Sequence, residues 1–153
     1  KFQEQMITMH RQALNYIVSK DRKNNVQPGC TFCTIGIINQ RIETETHIHF
    51  YSKCIYVERY WTDIKNWAIN DHNAEYKTRD RLYGKADQHP YSIDNTLLRE
   101  ARSTLWKCRL IKTIPKISFL KSRLIKQIPT LILMQKDQQI IQSLNKLQKM
   151  AEN

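Results

Sequence analysis

Three cysteines and one histidine stand at spacings that can hold a metal ion. Two residues separate Cys30 from Cys33, fifteen residues follow, and four more separate His49 from Cys54. Two cysteines at this spacing can point both sulfurs at one ion through a tight turn, and His49 with Cys54 can close a tetrahedron from the start of a following helix. The pattern predicts a structural zinc ion held by Cys30, Cys33, His49 and Cys54.

The spacing alone leaves other interpretations open. Cys30 and Cys33 can be ordinary small apolar residues, with His49 in solvent. A redox pair is less favoured, because no strand-then-helix pattern surrounds the two cysteines. His47 competes for the ligand role, but it lies two positions from His49 and therefore on a different side of any helix. We predict that His47 is a polar surface residue.

The composition is typical of a globular helical chain. Its 153 residues suffice for one domain with a core or for two small helical modules. The chain has only three glycines and four prolines to interrupt helices, which favours long helices. The cysteine spacing indicates a reducing compartment, nuclear or cytoplasmic, rather than a disulfide framework. The sequence shows no signal peptide and no apolar run of the roughly 20 residues that would span a bilayer. Because the chain begins at Lys1 within a helical pattern, we expect a fragment of a longer protein.

The positive charge is large and concentrated. The formal net charge is +11, and the stretch from Arg99 to Lys126 contains nine basic residues against the single acidic residue Glu100. Such a surplus indicates a polyanionic partner, RNA or DNA.

The metal ligands must be positioned by the first part of the chain, residues 1–70. Apolar residues three and four apart predict an amphipathic helix from Phe2 to Ser19. The segment Thr34–Thr44 predicts a loop with a short hairpin arm. A second helix is predicted from Thr46 or Ile55 to Ala68. Residues 71–91 mix charges without periodicity and predict a linker.

The remaining residues, 92–153, predict three helices. The first is capped by Ser92 or Asp94 and extends to about Ile111. The second runs from Pro115 to Ile128, with Phe119 inward, and ends at Pro129; the third begins at Thr130. The predicted fold class is therefore mainly α, a small zinc-stapled helical module followed by a basic C-terminal helical bundle.

A helical wheel of the first of these helices separates two faces. The apolar stripe consists of Leu97, Leu98, Ala101, Leu105, Cys108 and Ile111. Arg99, Arg102, Trp106 and Arg109 fall on the opposite face, which predicts an exposed indole among three guanidinium groups.

These residues resemble a known family. The stretch from Glu45 to Cys54, followed by an aromatic helix ending at residues 61–67, is similar to the C-terminal CCHC zinc knuckle of non-LTR (LINE-type) retrotransposon reverse transcriptases. The family has a Glu-Thr pair two residues before the ligand histidine and a cysteine five residues after it, which selects His49 over His47.

The resemblance extends to about residue 124. His10 and Arg11 are similar to a Leu-His-Arg sequence ahead of the knuckle, although Met9 replaces the leucine. Residues 82–84 and the helix carrying Trp106 are similar to later family segments. The long loop between Cys33 and Glu45 departs from the family pattern.

The resemblance implies a module that helps to hold template RNA or target DNA during target-primed reverse transcription, attached to an upstream reverse transcriptase domain of the same polypeptide. With the basic helices, it leads us to predict nucleic-acid contacts at His10, Arg11, Arg99, Arg102, Trp106, Lys107, Arg109 and Lys112.

Two other functions compete with this one. A structural module would pack its helices on the polymerase or on another protein, with Trp106 buried and the lysines in solvent. A hydrolytic metal site built from Asp71, His72, Asp80 and His89 is less favoured, because these residues have no motif spacing. No polymerase motif of the Tyr-Ala-Asp-Asp type is present, so this fragment is not expected to be an enzyme.

Overall fold

The computed structural model describes Thr8, Arg11, Gln12 and residues 29–36 and 46–153. The described residues are mainly helical, as predicted. Their helices are α1 (Thr31–Gly36), α2 (Ile55–Ala68), α3 (Thr78–Tyr83), α4 (Ile93–Leu110), α5 (Ile117–Leu133) and α6 (Gln138–Glu152), with a π-helical turn at His49–Lys53. Among the described residues, no helix is long and apolar enough to cross a bilayer.

Two predicted N-terminal elements fall largely outside the described residues. Thr8, Arg11 and Gln12 are helical, in agreement with the predicted first helix, whose other residues are not described. The predicted loop Thr34–Thr44 is wrong at its start, because α1 continues to Gly36. A Cβ on Gly36 would overlap the tip of the Tyr56 ring, so glycine at the end of α1 lets this ring of α2 pack closely against it.

Helix α2 begins at the later of its two predicted starts. Trp61 is 2% exposed, and its Nε1 donates a hydrogen bond to the Tyr51 carbonyl at 2.9 Å. Tyr60, Ile64 and Ala68 complete its buried face. This face joins α2 to the turn that precedes it.

Residues 71–91 form an ordered part of the fold, which corrects the predicted linker. They contain α3, which ends at Gly84 with φ of 78°. Ala74, Tyr76 and Leu82 are buried in the same apolar core as residues of α2 and α4. The segment therefore bridges its two neighbours by packing, although its sequence has no period.

The start of α4 fastens this segment through polar bonds. The Asp94 carboxylate lies 2.6 Å from His72 Nε2 and accepts hydrogen bonds of 2.8 Å from Tyr76 Oη and Gln88 Nε2. Asn95 bonds the backbone of the same segment. Because these buried polar groups are paired, an aperiodic stretch can be ordered.

Helix α4 begins as predicted and is buried on several sides. The Ser92 hydroxyl accepts a hydrogen bond from Asn95 N at 3.1 Å, which caps the helix. The predicted apolar stripe is buried from Leu97 to Cys108, but its last predicted member, Ile111, lies just past the end of α4 and is 63% exposed, which corrects that part of the prediction. Asp94, Asn95, Thr96, Arg99, Arg102 and Thr104 are buried as well, so this part of α4 is covered on more than one side, whereas Lys107 and Leu110 near its end are exposed.

Pro129 does not end α5, which corrects the predicted boundary. Pro129 is exposed and offers no N–H to the Ile125 carbonyl, yet the helix runs through it to Leu133. Ile128 is fully buried, and Leu131 and Ile132 pack against the core beyond the proline. This packing on both sides outweighs the lost backbone bond.

The last helix begins at Gln138 rather than at the predicted Thr130. The Asp137 side chain caps it by accepting a hydrogen bond from Gln139 N at 2.9 Å. Its buried residues are Ile140, Leu144, Leu147, Met150 and Ala151, and α5 with α6 forms the most extensive helix pair.

Candidate metal centre

Helix α1 carries the candidate ligand Cys33, and Cys30 directly precedes it. The Cys30 carbonyl accepts hydrogen bonds from Thr34 N at 3.0 Å and from Thr34 Oγ1 at 2.9 Å, which starts the helix at the first cysteine. Residues three apart on a helix are neighbours, so Cys33 projects beside Cys30.

The π-helical turn positions the other two. Its closing bond runs from Cys54 N to the His49 carbonyl at 2.8 Å, five residues back. In an α-helix, side chains five residues apart diverge by about 140° around the axis, whereas the wider π turn brings them onto one side. The turn therefore lets His49 and Cys54 face the same point.

The four side chains meet in one cluster. The Cys30 and Cys33 sulfurs each lie 3.8 Å from the Cys54 sulfur, and the Cys33 sulfur lies 3.4 Å from His49 Nε2. All four ligand atoms lie within 4.8 Å of one another, with the cysteines buried and the histidine half-buried. The sulfurs are too far apart for a disulfide, and the cluster can hold a metal ion.

The electrostatics favour a thiolate at Cys54. The pKa of Cys54 is lowered to about 4, mainly by the hydrogen bond from Cys30 and against an opposing effect of burial. His49 and the backbone N–H groups of Tyr56 and Val57, at the first turn of α2, contribute to this lowering. A thiolate is the form in which cysteine binds a metal.

Aromatic packing holds the two ligand-bearing segments together independently of any metal. In the sequence, Phe32 lies between Cys30 and Cys33, and Phe50 directly follows His49. Both rings are fully buried and stack with centroids 5.7 Å apart and planes at 18°.

His47 lies outside the cluster. Its ring packs edge-on against Tyr51, with centroids 5.1 Å apart, and lies 6.1 Å from the ring of Tyr83. His47 is half-buried between these rings rather than fully at the surface.

Two of the predicted nucleic-acid contacts are buried, which corrects the predicted exposed face. Arg99 is 6% exposed, donates to the Pro90 carbonyl at 3.1 Å and lies over the Tyr91 ring. Arg102 is 4% exposed and donates to the carbonyls of Asp80 and Arg81 at 3.4 and 3.3 Å. The helical wheel assumed that only the apolar side of the helix is buried, whereas residues 80–91 also cover the side that carries Arg99 and Arg102.

Burial also changes the chemistry of these groups. Desolvation lowers the pKa of Arg102 to about 10, which leaves the side chain charged at neutral pH. The charged guanidinium of Arg102 donates its hydrogen bonds to backbone carbonyls of α3 and is shielded from solvent.

Trp106 is half-buried, which corrects the predicted exposed indole. Its ring meets Phe50 edge-on, with centroids 6.1 Å apart. The Arg109 guanidinium lies 5.9 Å from the indole centroid. The indole thus packs against the residue that follows the candidate ligand His49 and also meets a cation.

Three other predicted contacts are at the surface. Lys107, Lys112 and Arg11 are exposed, and His10 lies outside the described residues. Lys112 has φ of 53°, a left-handed conformation that closes α4 through bonds from Lys112 N to Arg109 O and from Thr113 N to Cys108 O.

The residues of the alternative hydrolytic site do not form a cluster, and three of them make separate hydrogen bonds within the fold. His72 pairs with Asp94, the Asp80 carboxylate accepts from Lys77 N at 3.2 Å, and His89 Nδ1 accepts from Tyr91 N at 3.0 Å. Within the described ranges, the metal-type cluster is the one formed by three cysteines and His49.

Sequence reasoning missed a set of side chains between α4 and α5. Phe119, predicted to point inward, is 39% exposed and lies with Arg123 and Lys126 at one groove. Only the basic run of α5 hinted at this place.

The geometry defines a mainly helical protein with a cluster of three cysteines and one histidine. No protein-family model, curated protein or solved structure matches the chain.

Proposed function

We propose that this chain is a zinc-stapled module that binds single-stranded RNA or DNA through the basic surface of α4 and α5. Zinc fits the cluster by geometry. A tetrahedral zinc ion with bonds of about 2.3 Å to sulfur and about 2.0 Å to nitrogen places sulfurs about 3.8 Å apart and sulfur about 3.5 Å from nitrogen. Three of the six separations between ligand atoms are 3.8, 3.8 and 3.4 Å, and all six lie within 4.8 Å, which supports zinc.

One observation carries the nucleic-acid proposal. Residues 101–136 contain no aspartate or glutamate, and the exposed lysines of this stretch lie on and between α4 and α5. They are Lys107, Lys112, Lys116 and Lys126, with Lys136 beyond α5. An exposed surface of one sign attracts polyanions and releases counterions when it binds them.

The resemblance to the C-terminal region of LINE-type reverse transcriptases supports a more specific role. In that role the module holds template RNA or target DNA for a polymerase domain upstream in the same polypeptide, in the nucleus or the cytoplasm. The buried Arg99 and Arg102 then stabilise the fold, and the exposed lysines contact phosphates.

The test uses Lys112 because its backbone allows a variant that leaves folding intact. Lys112→Gly removes the charge and relieves the left-handed strain, which costs about 1 kcal/mol in other residues. We expect the variant to unfold at a higher temperature and to bind RNA and DNA oligonucleotides more weakly. The slope of log affinity against log salt should fall by about 0.7.

Lys149→Ala, at an exposed position of α6, is the matched control and should leave the slope unchanged. Equal slopes for both variants, or affinity without salt dependence, would contradict the proposal.

A second candidate is a docking module for another protein. Several large apolar side chains are exposed, among them Leu110 at 58%, Ile111 at 63%, Leu133 at 86% and Met134 at 66%. Binding that persists at high salt would favour this candidate.

A further inference from the structure

A groove separates the C-terminal half of α4 from the first half of α5. Its volume is about 360 Å³, within the usual range of about 300 to 1,000 Å³ for small-molecule sites. The lining residues that matter chemically are Lys107, Ile111, Phe119, Arg123, Lys126 and Gln127. We refer to it as the α4–α5 groove.

The groove offers an apolar surface suited to a planar ring. Phe119 is 39% exposed and Ile111 is 63% exposed, and the thiol of the buried Cys108 lies beneath them. An exposed aromatic face beside cations is the usual platform on which an unpaired base stacks.

The rim of the groove is cationic. Lys107 and Lys126 are exposed, and Arg123 Nε donates to Glu100 Oε2 at 2.6 Å, which fixes its guanidinium beside the groove. Glu100 also lies 3.5 Å from Arg99 Nε, so this carboxylate is shared between two arginines. Among the residues that the structure describes, no acidic side chain lines the groove, and the exposed lysines keep its rim positive.

We propose that the α4–α5 groove holds one nucleotide of a bound single strand, with the base against Phe119 and Ile111 and the phosphate toward Lys107 and Lys126. The proposal rests on the proposed function. It locates the place where a base of the strand stacks on the protein, as distinct from the contacts to its phosphates. Lys107 and Lys126 favour a nucleotide over an apolar peptide, because a peptide of that kind leaves these two ammonium groups without counter-charge.

The test measures binding of the zinc-loaded chain to a single-stranded oligonucleotide of about ten nucleotides. A second probe has the same length and phosphates but abasic sugars, and RNA and DNA versions of the intact probe are titrated separately. We expect Phe119→Ala to weaken binding to the intact probe about 10-fold and to leave abasic binding unchanged.

Two further variants make the result specific. Ile125→Ala removes a side chain of similar exposure, 41%, on the same helix but outside the groove, and should change neither affinity. Phe119→Leu keeps apolar volume without an aromatic face, and should reproduce the loss even if the alanine variant is less stable. Lys126→Ala should weaken both probes and flatten the salt slope by about 0.7.

The outcomes separate the two proposals. Salt-dependent binding of both probes that Phe119→Ala and Phe119→Leu leave unchanged would overturn the groove assignment and leave the proposed function standing. An equal loss on intact and abasic probes would also overturn it, because the ring would then contact no base. A chain that binds neither probe at any salt concentration would defeat both proposals.

Discussion

The indole of Trp106 meets the ring of Phe50 edge-on, with centroids 6.1 Å apart and planes at 86°. Phe50 follows the candidate ligand His49 and stacks on Phe32 of α1. Trp106 lies on α4, one residue before Lys107. One aromatic contact therefore joins the metal centre to the basic helix, so the two predicted modules share a core.

This contact predicts a loss of stability when the indole is removed. Trp106→Ala should lower the free energy of unfolding by about 2 kcal/mol, less than the 3 to 5 kcal/mol typical of a fully buried ring because Trp106 is half-buried. Denaturant unfolding measures this change. Trp106→Phe, which retains an edge-on ring, should recover most of the loss. A variant of full stability that binds nucleic acid poorly would return Trp106 to the stacking role that the helical wheel predicted.

The ligand set predicts different behaviour for two neighbouring histidines. His49→Ala should lose zinc and unfold at a much lower temperature, because structural zinc contributes folding free energy directly. His47→Ala should retain one zinc per chain, since its ring packs against Tyr51 outside the cluster. Elemental analysis and thermal unfolding, with and without a chelator, distinguish the two. Equal zinc loss in both variants would contradict the assignment of His49 rather than His47 as the fourth ligand.

The Asp94 carboxylate predicts an acid-sensitive fold. Burial by itself would raise its pKa, but hydrogen bonds from His72, Gln88 and Tyr76 hold the pKa of this carboxyl well below its usual range. The folded-state pKa therefore lies below the unfolded value of about 3.9. The stabilisation is complete above that value and is lost as pH falls toward the folded-state pKa.

Asp94→Asn should therefore be less stable at neutral pH and should lose less stability between about pH 4 and pH 2. Lys85 Nζ, 3.6 Å from the carboxylate, is the other charge facing it. Asp63→Asn, at an exposed position of α2, is the control. Parallel acid-unfolding curves for Asp94→Asn and the unmodified chain would contradict the assignment.

The ligand types and the helix caps could be predicted because they depend on local spacing. Cys30 and Cys33 lie together on any helical turn, and Ser92 caps α4 through a bond three residues away. The exposure of Arg99 and Arg102 could not be predicted, because it depends on residues 80–91 folding over α4. The π turn that aligns His49 with Cys54 likewise has no sequence period to reveal it.

Pro129 gives the last prediction, because here long-range packing overrides a local signal. A proline in a helix interior costs about 3 kcal/mol relative to alanine, and Pro129 is exposed. Pro129→Ala should restore the bond to the Ile125 carbonyl and raise the free energy of unfolding by about 1 to 3 kcal/mol. Denaturant unfolding measures the gain, and Thr130→Ala, at the next exposed position, should change stability by less than about 1 kcal/mol. A destabilised Pro129→Ala would show that the ring shapes α5 for its contact with α6, and that packing had selected the proline rather than tolerated it.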